Sequence, residues 1–273
     1  MNKLSQLLYF LKFYWEAQTI YNIHSPFLFH FFTNVFDTKK HYYDFYDIEL
    51  YRRSLLSDNT AVELKDLGAG TSYKSPSRTI NQIAKTASSS TNKCMLLHNL
   101  CLYFNPQNIL ELGTNLGLAT CYIHVANKVS QLHTIEGDKT LWSKSQAAFK
   151  QFKFSNIKSI NSSFDEYIES HIDYIEQVDF AYIDGNHTYE ATLKYFKQIV
   201  ENTVQKKVII CDDIYWSIEM MKAWSEIKGM VKNGFTIDNH NLGIVIIDPH
   251  FDTCQHIKYI SWQFKPFSLG IFG

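Results

Sequence analysis

From Asn108 onward, short apolar runs alternate with amphipathic helical stretches, and that alternation leaves the chain few possible architectures. "NILEL", "QLHTIEGD", "IKSINSS", "VDFAYIDG" and "KKVIICDD" each read as a strand. A run of helical period follows each one, from "LATCYIHVANKV" to "SIEMMKAWSEIKGMVK". Parallel neighbours can be joined only by a crossover, so the pattern predicts an α/β fold: a Rossmann-like, doubly wound, mostly parallel sheet. "FTIDNHNLGIVIID" reads as two more strands about a tight polar turn, a terminal antiparallel hairpin that would form the sheet's edge. Such sheets bind ligands at the carboxyl ends of their strands.

The first 60 residues have a different grammar. Leu4, Leu7, Leu8 and Leu11 recur at helical spacing, and "HSPFLFHFF" offers Ser25 as an N-cap with Pro26 at the first helical position. His24 and His30 either line a substrate pocket or ride on a capped helix whose aromatic face packs on the main domain. Residues 71–93 are polar and rich in Ser and Thr, as a linker or cover would be. The division expected is an N-terminal helical cap with linker at 1–94 and a ligand-binding domain at 95–273.

Composition excludes several classes. The net charge is -1 with no basic stripe, so no nucleic-acid partner is expected. Five cysteines, an odd number without a CxxC pair, argue against a disulfide framework or a zinc site and for a cytoplasmic setting. The apolar N-terminus is broken by Lys12 and Glu16, which predicts an amphipathic helix rather than a signal peptide. No apolar run is long enough to predict a membrane span. An exposed aromatic face on that helix would favour a homodimer.

Two glycine loops compete for the role of cofactor loop. "LELGTNLGLAT" follows a buried strand, opens a helix, and precedes a second strand that ends in Glu136. There a carboxylate can accept hydrogen bonds from a ribose diol. Gly113 allows the sharp turn and Gly117 a close approach of backbone to ligand. "KDLGAGTSYKS" lacks all three features: polar residues precede it and no helix follows at once. It reads as part of the cap, with the Asp66–Ser75 segment a candidate lid. Thr114, Asn115 and Leu116 separate the glycines of the first loop, so the G-x-G spacing of a nicotinamide-nucleotide or flavin enzyme is absent.

With "ELGTNLG" in place, the stretch from about 95 to 250 resembles the class I S-adenosylmethionine-dependent methyltransferases, in their small-molecule O-methyltransferase branch. "IEGD", "NSSFDEYI", "DFAYIDGNHTYE" and "VIICDDIYW" follow in the order of that family's later motifs. The resemblance implies that Glu111, Gly113, Thr114, Asn115, Gly117, Glu136, Gly137, Ser163, Phe164 and Asp184 bind the cofactor. Glu136 would meet the ribose, and Ser163 and Phe164 would flank the adenine.

In-line methyl transfer needs an aligned nucleophile and a group that takes its proton. The resemblance to catechol-type and macrocin-type sugar O-methyltransferases implies Asp184, Asp212 and Asp213 as ligands for Mg2+ or Ca2+, both of which prefer oxygen donors. Asp184 and His187 are the candidate catalytic residues, with His187 either the base or a residue that orients Asp184. Tyr189 and Trp216 either line the pocket of a small-molecule acceptor or pack in the core. "IDGNHTY" stands where base-modifying enzymes carry a Pro-Pro-Tyr motif, which argues again against nucleic acid. The alternative is a non-catalytic cofactor-binding or interaction module that uses the aromatic N-terminal helices.

Overall fold

The structure, a computed structural model, describes residues 3–40, 42–64, 77–201 and 205–266. The helices α1 (Lys3–Glu16), α2 (Pro26–Val35) and α3 (Phe45–Ser57) precede a short ribbon of β1 (Ala61–Glu63) and β2 (Ser77–Thr79). Helices α4 (Ile80–Thr86) and α5 (Thr91–Phe104) lead into β3 (Asn108–Leu112), α6 (Leu118–Ala126), β4 (Gln131–Glu136), α7 (Lys139–Gln151) and β5 (Ile157–Asn161). Then come α8 (Phe164–Ser170), α9 (Ile172–Gln177), β6 (Phe180–Ile183), α10 (Tyr189–Val200), β7 (Lys207–Cys211) and α11 (Ile218–Met230). The strands β8 (Gly234–Asp238), β9 (Gly243–Ile247) and β10 (Cys254–Lys258) complete the order.

The chain forms two compact units, residues 37–180 and residues 1–36 with 181–273. In the first, β3, β4 and β5 lie side by side and parallel. Four of the five residues of β3 are buried, as a strand covered on both faces requires. β5 has only half-buried and exposed positions, which suits the outermost strand of this unit. The helices α7 and α8 each start on a side-chain cap, whereas α6 starts on Gly117 without one. Asp138 accepts from the amides of Thr140 (2.8 Å) and Leu141 (3.0 Å) at the head of α7. Ser163 does the same for α8. The helical run predicted over "FDEYIESHIDYI" is two helices, because the chain leaves helical geometry at His171.

In the second unit the strand order is β10-β8-β9-β7-β6. The predicted hairpin is present, with β8 antiparallel to β9 and β9 antiparallel to β7. It does not form the edge: β10 pairs parallel outside β8. "TCQHIKY" is too polar to read as a core strand, and an outer strand exposes one side to water. The register sets Cys211, Gly243, Asp238 and Lys258 in one row, at the carboxyl ends of β7, β8 and β10.

The aromatic N-terminus packs in this second unit. Ser25 caps α2 as the sequence predicts. Leu28, Phe31, Phe32 and Val35 are buried, and Phe32 stacks on Tyr259 with ring centroids 4.2 Å apart. His24 and His30 are exposed, so the capped-helix reading holds for them. Downstream of α1, the Gln18 amide donates to the Lys258 carbonyl at 2.7 Å and extends the line of β10. Among the described residues no helix is long and apolar enough to cross a membrane.

Phe32→Ala is expected to cost about 3–5 kcal/mol, whereas Phe29→Ala, on the half-exposed side of the same helix, is expected to cost under about 1 kcal/mol. Urea denaturation of the two variants checks the difference.

Candidate functional site

β3 ends at Leu112, and the chain must turn at once to enter α6. Three left-handed positions make that turn: Gly113 (φ +111°), Asn115 (φ +50°) and Gly117 (φ +77°). The amides of Gly113 and Thr114 both donate to the Ile135 carbonyl, at 3.0 and 3.2 Å, and bind the loop to β4. The Tyr51 hydroxyl, from α3, donates to the Leu116 carbonyl at 3.0 Å.

Beneath the loop lies Glu111, fully buried. One of its carboxylate oxygens accepts from the hydroxyls of Thr120 (2.5 Å) and Thr134 (2.6 Å). Thr134 is also 2.5 Å from the Thr114 hydroxyl. With its own proton committed to Glu111, Thr134 accepts from Thr114. A hydroxyl chain thus ties the loop to β4 and to the buried acid. The resemblance places Glu111 among residues that bind the cofactor, but the fold puts its carboxylate under the loop, where it positions rather than contacts. Burial pushes its carboxyl up to about 7, against the opposing effect of the two hydroxyl donors.

Gly117 has a further reason to be glycine. A Cβ there would lie 2.9 Å from a ring carbon of Phe149 and 3.1 Å from the Ser145 Cβ, both on α7. The space at Gly117 is therefore needed by helix packing, whatever approaches from the other side.

Glu136 closes β4 and is only half-buried. One carboxylate oxygen accepts the Asn115 amide (2.8 Å) and the other the Asp138 amide (2.9 Å). Each keeps a further lone pair. Burial raises its pKa, while these amides pull it back. The Asn161 side chain donates to the carbonyls of Glu136 (2.7 Å) and Gly137 (3.1 Å), holding the ends of β4 and β5 in register. Asn115 Nδ2 donates to the Ala87 carbonyl (2.9 Å), and its buried Oδ1 has no hydrogen-bond partner among the described residues. Ser163 is exposed and Phe164 half-buried at the head of α8, just beyond β5. This unit therefore gathers the loop residues, Glu136, Gly137, Ser163 and Phe164 at the carboxyl ends of three parallel strands. Residues 65–76, the alternative glycine loop and candidate lid, lie outside the described residues.

The carboxylates stand in the other unit. Asp184 follows β6, and Asp212 and Asp213 follow β7. The Tyr182 hydroxyl lies 2.8 Å from Asp184 Oδ2 and 2.9 Å from Asp212 Oδ2. A phenol has one proton to donate, so the two carboxylates share it. The other oxygen of Asp212 accepts the Asp213 amide at 2.8 Å, and Asp212 is 1% exposed. Asp213 sits at φ +53°, and its carbonyl accepts from the Trp216 amide. His187 Nε2 is 3.7 Å from Asp184 Oδ1, close enough for an ion pair but too far for a hydrogen bond. Tyr189 donates to Glu226, and Trp216 is half exposed.

This donor set does not fit a divalent metal as it stands. Hard cations need several free oxygens around one point. Here the Tyr182 phenol and the Asp213 amide occupy oxygens of Asp184 and Asp212. Among the described residues no three His, Cys, Asp or Glu side chains are placed to hold a metal ion. The Mg2+ or Ca2+ expected from the resemblance thus has no cradle here. Tyr182 is the functional candidate that sequence reasoning missed. Its position in a buried strand reads as core, and only the proximity of β6 and β7 gives its hydroxyl two partners.

Residues 110–214 match a protein-family model described as a methyltransferase domain. The fold is a methyltransferase fold. The O-methyltransferase from Bacillus cereus, solved in complex with S-adenosylhomocysteine, superposes with a TM-score of 0.51 at 14% identity, over 60% of this chain and 84% of that one. A methyltransferase from Geobacter sulfurreducens superposes with a TM-score of 0.50 at 10% identity, over 77% of this chain and 91% of the other. No curated protein matches the sequence significantly. The matched stretch opens at Leu110 in β3 and closes just past Asp213, so it holds both groups of residues described above.

A carboxyl that ionises near 4.5 in the unfolded chain and near 7 when buried takes up a proton on folding between those values. The Glu111 contribution to stability therefore falls as pH rises from about 4.5 to 7, by about 3 kcal/mol at most, and is level above. Glu111→Gln is expected to lack that fall. Urea denaturation of both proteins at pH 5 and pH 7.5 measures it. An equal gap between them at both values would show that Glu111 does not titrate.

Proposed function

We propose that this protein is an S-adenosylmethionine-dependent methyltransferase that acts on the hydroxyl of a small molecule. The observation that carries the reading is the Glu136 carboxylate, joined to the Asn115 amide at the mouth of the Gly113–Gly117 turn. An acid at the end of β4 beside a left-handed loop at the end of β3 is the arrangement that accepts a ribose diol in Rossmann-like folds. Ser163 and Phe164, at the head of α8, suit the flanks of a purine. These residues fit the cofactor. When bound, it would supply an electrophilic methyl group.

The chain's own part is to hold, align and take a proton. The hydroxyl chain from Glu111 fixes the loop in advance, so the site is not reordered on binding. Asp184 and His187 are the candidates to take the acceptor's proton, with Tyr182 holding Asp184 in place. No step is assigned to a metal, because among the described residues no three His, Cys, Asp or Glu side chains are placed to hold one. The division into a cap at 1–94 and a catalytic domain at 95–273 belongs to this reading; the matched stretch, 110–214, falls within the second part, although the two compact units cut across the division. The buried, unpaired thiols of Cys94, Cys101, Cys121 and Cys211 support a reducing, cytoplasmic setting. A net charge of -1 supports a small acceptor over nucleic acid. The exposed row of Leu4, Leu7, Leu8, Leu11 and Trp15 on α1 supports homodimer formation. The same row is the observation that favours the second reading, a non-catalytic interaction module.

Calorimetric titration with S-adenosylmethionine and S-adenosylhomocysteine tests the cofactor. Both are expected to bind, and Glu136→Ala to weaken them by about 10- to 100-fold through the lost ribose hydrogen bonds. Absence of binding by either would refute the proposal. Once an acceptor is known, turnover is expected to survive chelation with EDTA. Loss of activity on chelation, restored by Mg2+, would show that the carboxylates rearrange around a metal.

A further inference from the structure

The unit formed by 1–36 and 181–273 contains a cleft that the methyl-transfer reading does not use. It has an open volume of about 470 Å³, solvent side included, and lies between α1 and α11. Tyr9, Phe13, Tyr215 and Trp224 wall it, and Lys12, Lys228 and Lys258 line it as well. Strand register places its floor: Lys258 stands beside Asp238, the residue that accepts the Tyr215 hydroxyl at 2.8 Å. The cleft thus lies at the carboxyl ends of β8 and β10, the side on which sheets of this class bind ligands.

Two features point to an occupant. The first is Trp224, which is 3% exposed and whose indole Nε1 has no hydrogen-bond partner among the described residues. Its six-membered ring is pinned against Gly243, where a Cβ would come within 2.7 Å of Cε3 and Cζ3. With that edge on the sheet, the opposite edge, which carries the buried N–H, is turned away from the strand. A buried N–H without an acceptor is rare in a folded protein and asks for one.

The second is charge. Lys258 pairs with Glu16. Lys12 and Lys228 make neither a hydrogen bond nor an ion pair among the described residues. Asp238 faces Lys228 from the strand end, but its carboxylate is engaged by Tyr215 and by the His240 amide at 2.9 Å. Three ammonium groups thus face two committed carboxylates, which leaves the cleft cationic. Burial also pulls the Lys228 ammonium below its ordinary pKa, an expense that a bound anion would offset.

We propose that this cleft binds a small aromatic acid, a single ring that carries a carboxylate or phosphate. The ring lies among Tyr9, Phe13, Tyr215 and Trp224, where aromatic faces and edges give it a shaped apolar slot. The acid group meets Lys12 and Lys228, and the Trp224 N–H donates to it or to a ring substituent. The residues of this cleft all belong to one unit and are separate from those assigned to the methyl donor.

Calorimetry on the full chain, with benzoate, phenyl phosphate, benzyl alcohol and inorganic phosphate as probes, tests this. At least one of the two aromatic acids is expected to bind, about tenfold or more tighter than benzyl alcohol and than inorganic phosphate. Whichever acid binds more tightly identifies the head group. Lys228→Met, which keeps the length of the stem, is expected to weaken that acid about tenfold, and Trp224→Phe, which removes the N–H, by about three- to tenfold. S-adenosylhomocysteine binding is expected to be unchanged in both variants. The proposal is overturned if neither acid binds at about 10 mM, since even a modest one-ring ligand should register there. It is also overturned if benzyl alcohol or inorganic phosphate matches the aromatic acids, or if Lys228→Met leaves their affinity unchanged. Should Trp224→Phe fail to fold, the Lys228 variant and the probe series decide by themselves.

Discussion

The candidate cofactor site depends on one buried carboxylate. Glu111 sits at the centre of β3 packing with no exposure to solvent, and three threonine hydroxyls organise around it, two directly and one through Thr134. Burying an acid is unfavourable unless it is neutral or well bonded. Here both conditions operate, since burial raises its pKa and Thr120 and Thr134 supply donors. The result is a rigid underside for a loop that would otherwise be a run of left-handed positions with little to hold it. Glu136 closes the same loop from above through the Asn115 amide. The two acids have opposite tasks, one fixing the backbone and the other, half-buried, presenting lone pairs at the mouth of the turn.

A comparable division runs through the carboxylates of the other unit. Asp212 is committed, with both oxygens engaged, while Asp184 shares a phenol and faces His187 across 3.7 Å. The residue types in "AYIDGNH" and "CDD" are those a metal site would use, but their hydrogen bonds are those of a proton-sharing cluster. A list of oxygens is not a coordination sphere until their lone pairs point to one place. Tyr182 makes that difference with a single hydroxyl.

Much of the fold was legible because its cause is local. Apolar runs of strand length separated by helical periods can be buried only by a layered α/β arrangement, and every strand from Asn108 to Ile247 read from the sequence is present. The cap at Ser25 was legible for the same reason, since the capping oxygen and its amide lie within three residues. The break at His171 and the outer strand β10 were not. The first depends on how α8 and α9 pack, and the second has a polar sequence that becomes a strand only because β8 presents an unpaired edge to it.

The sequence by itself determined the alternation, the glycine loop with its acid at the end of the next strand, and the residue types available for chemistry. Each of these follows from neighbours along the chain, where backbone sterics and side-chain period act. Tertiary structure alone decided which residues work together: Glu111 under its threonines, Gly117 against Phe149, Tyr182 between Asp184 and Asp212, and Trp224 in one cleft with three lysines. Those partners are separated by intervals that no local pattern encodes, and they meet because parallel strands bring distant carboxyl ends side by side. Hydrogen bonds act over about 3 Å, so a residue's role here is set by its neighbours in space.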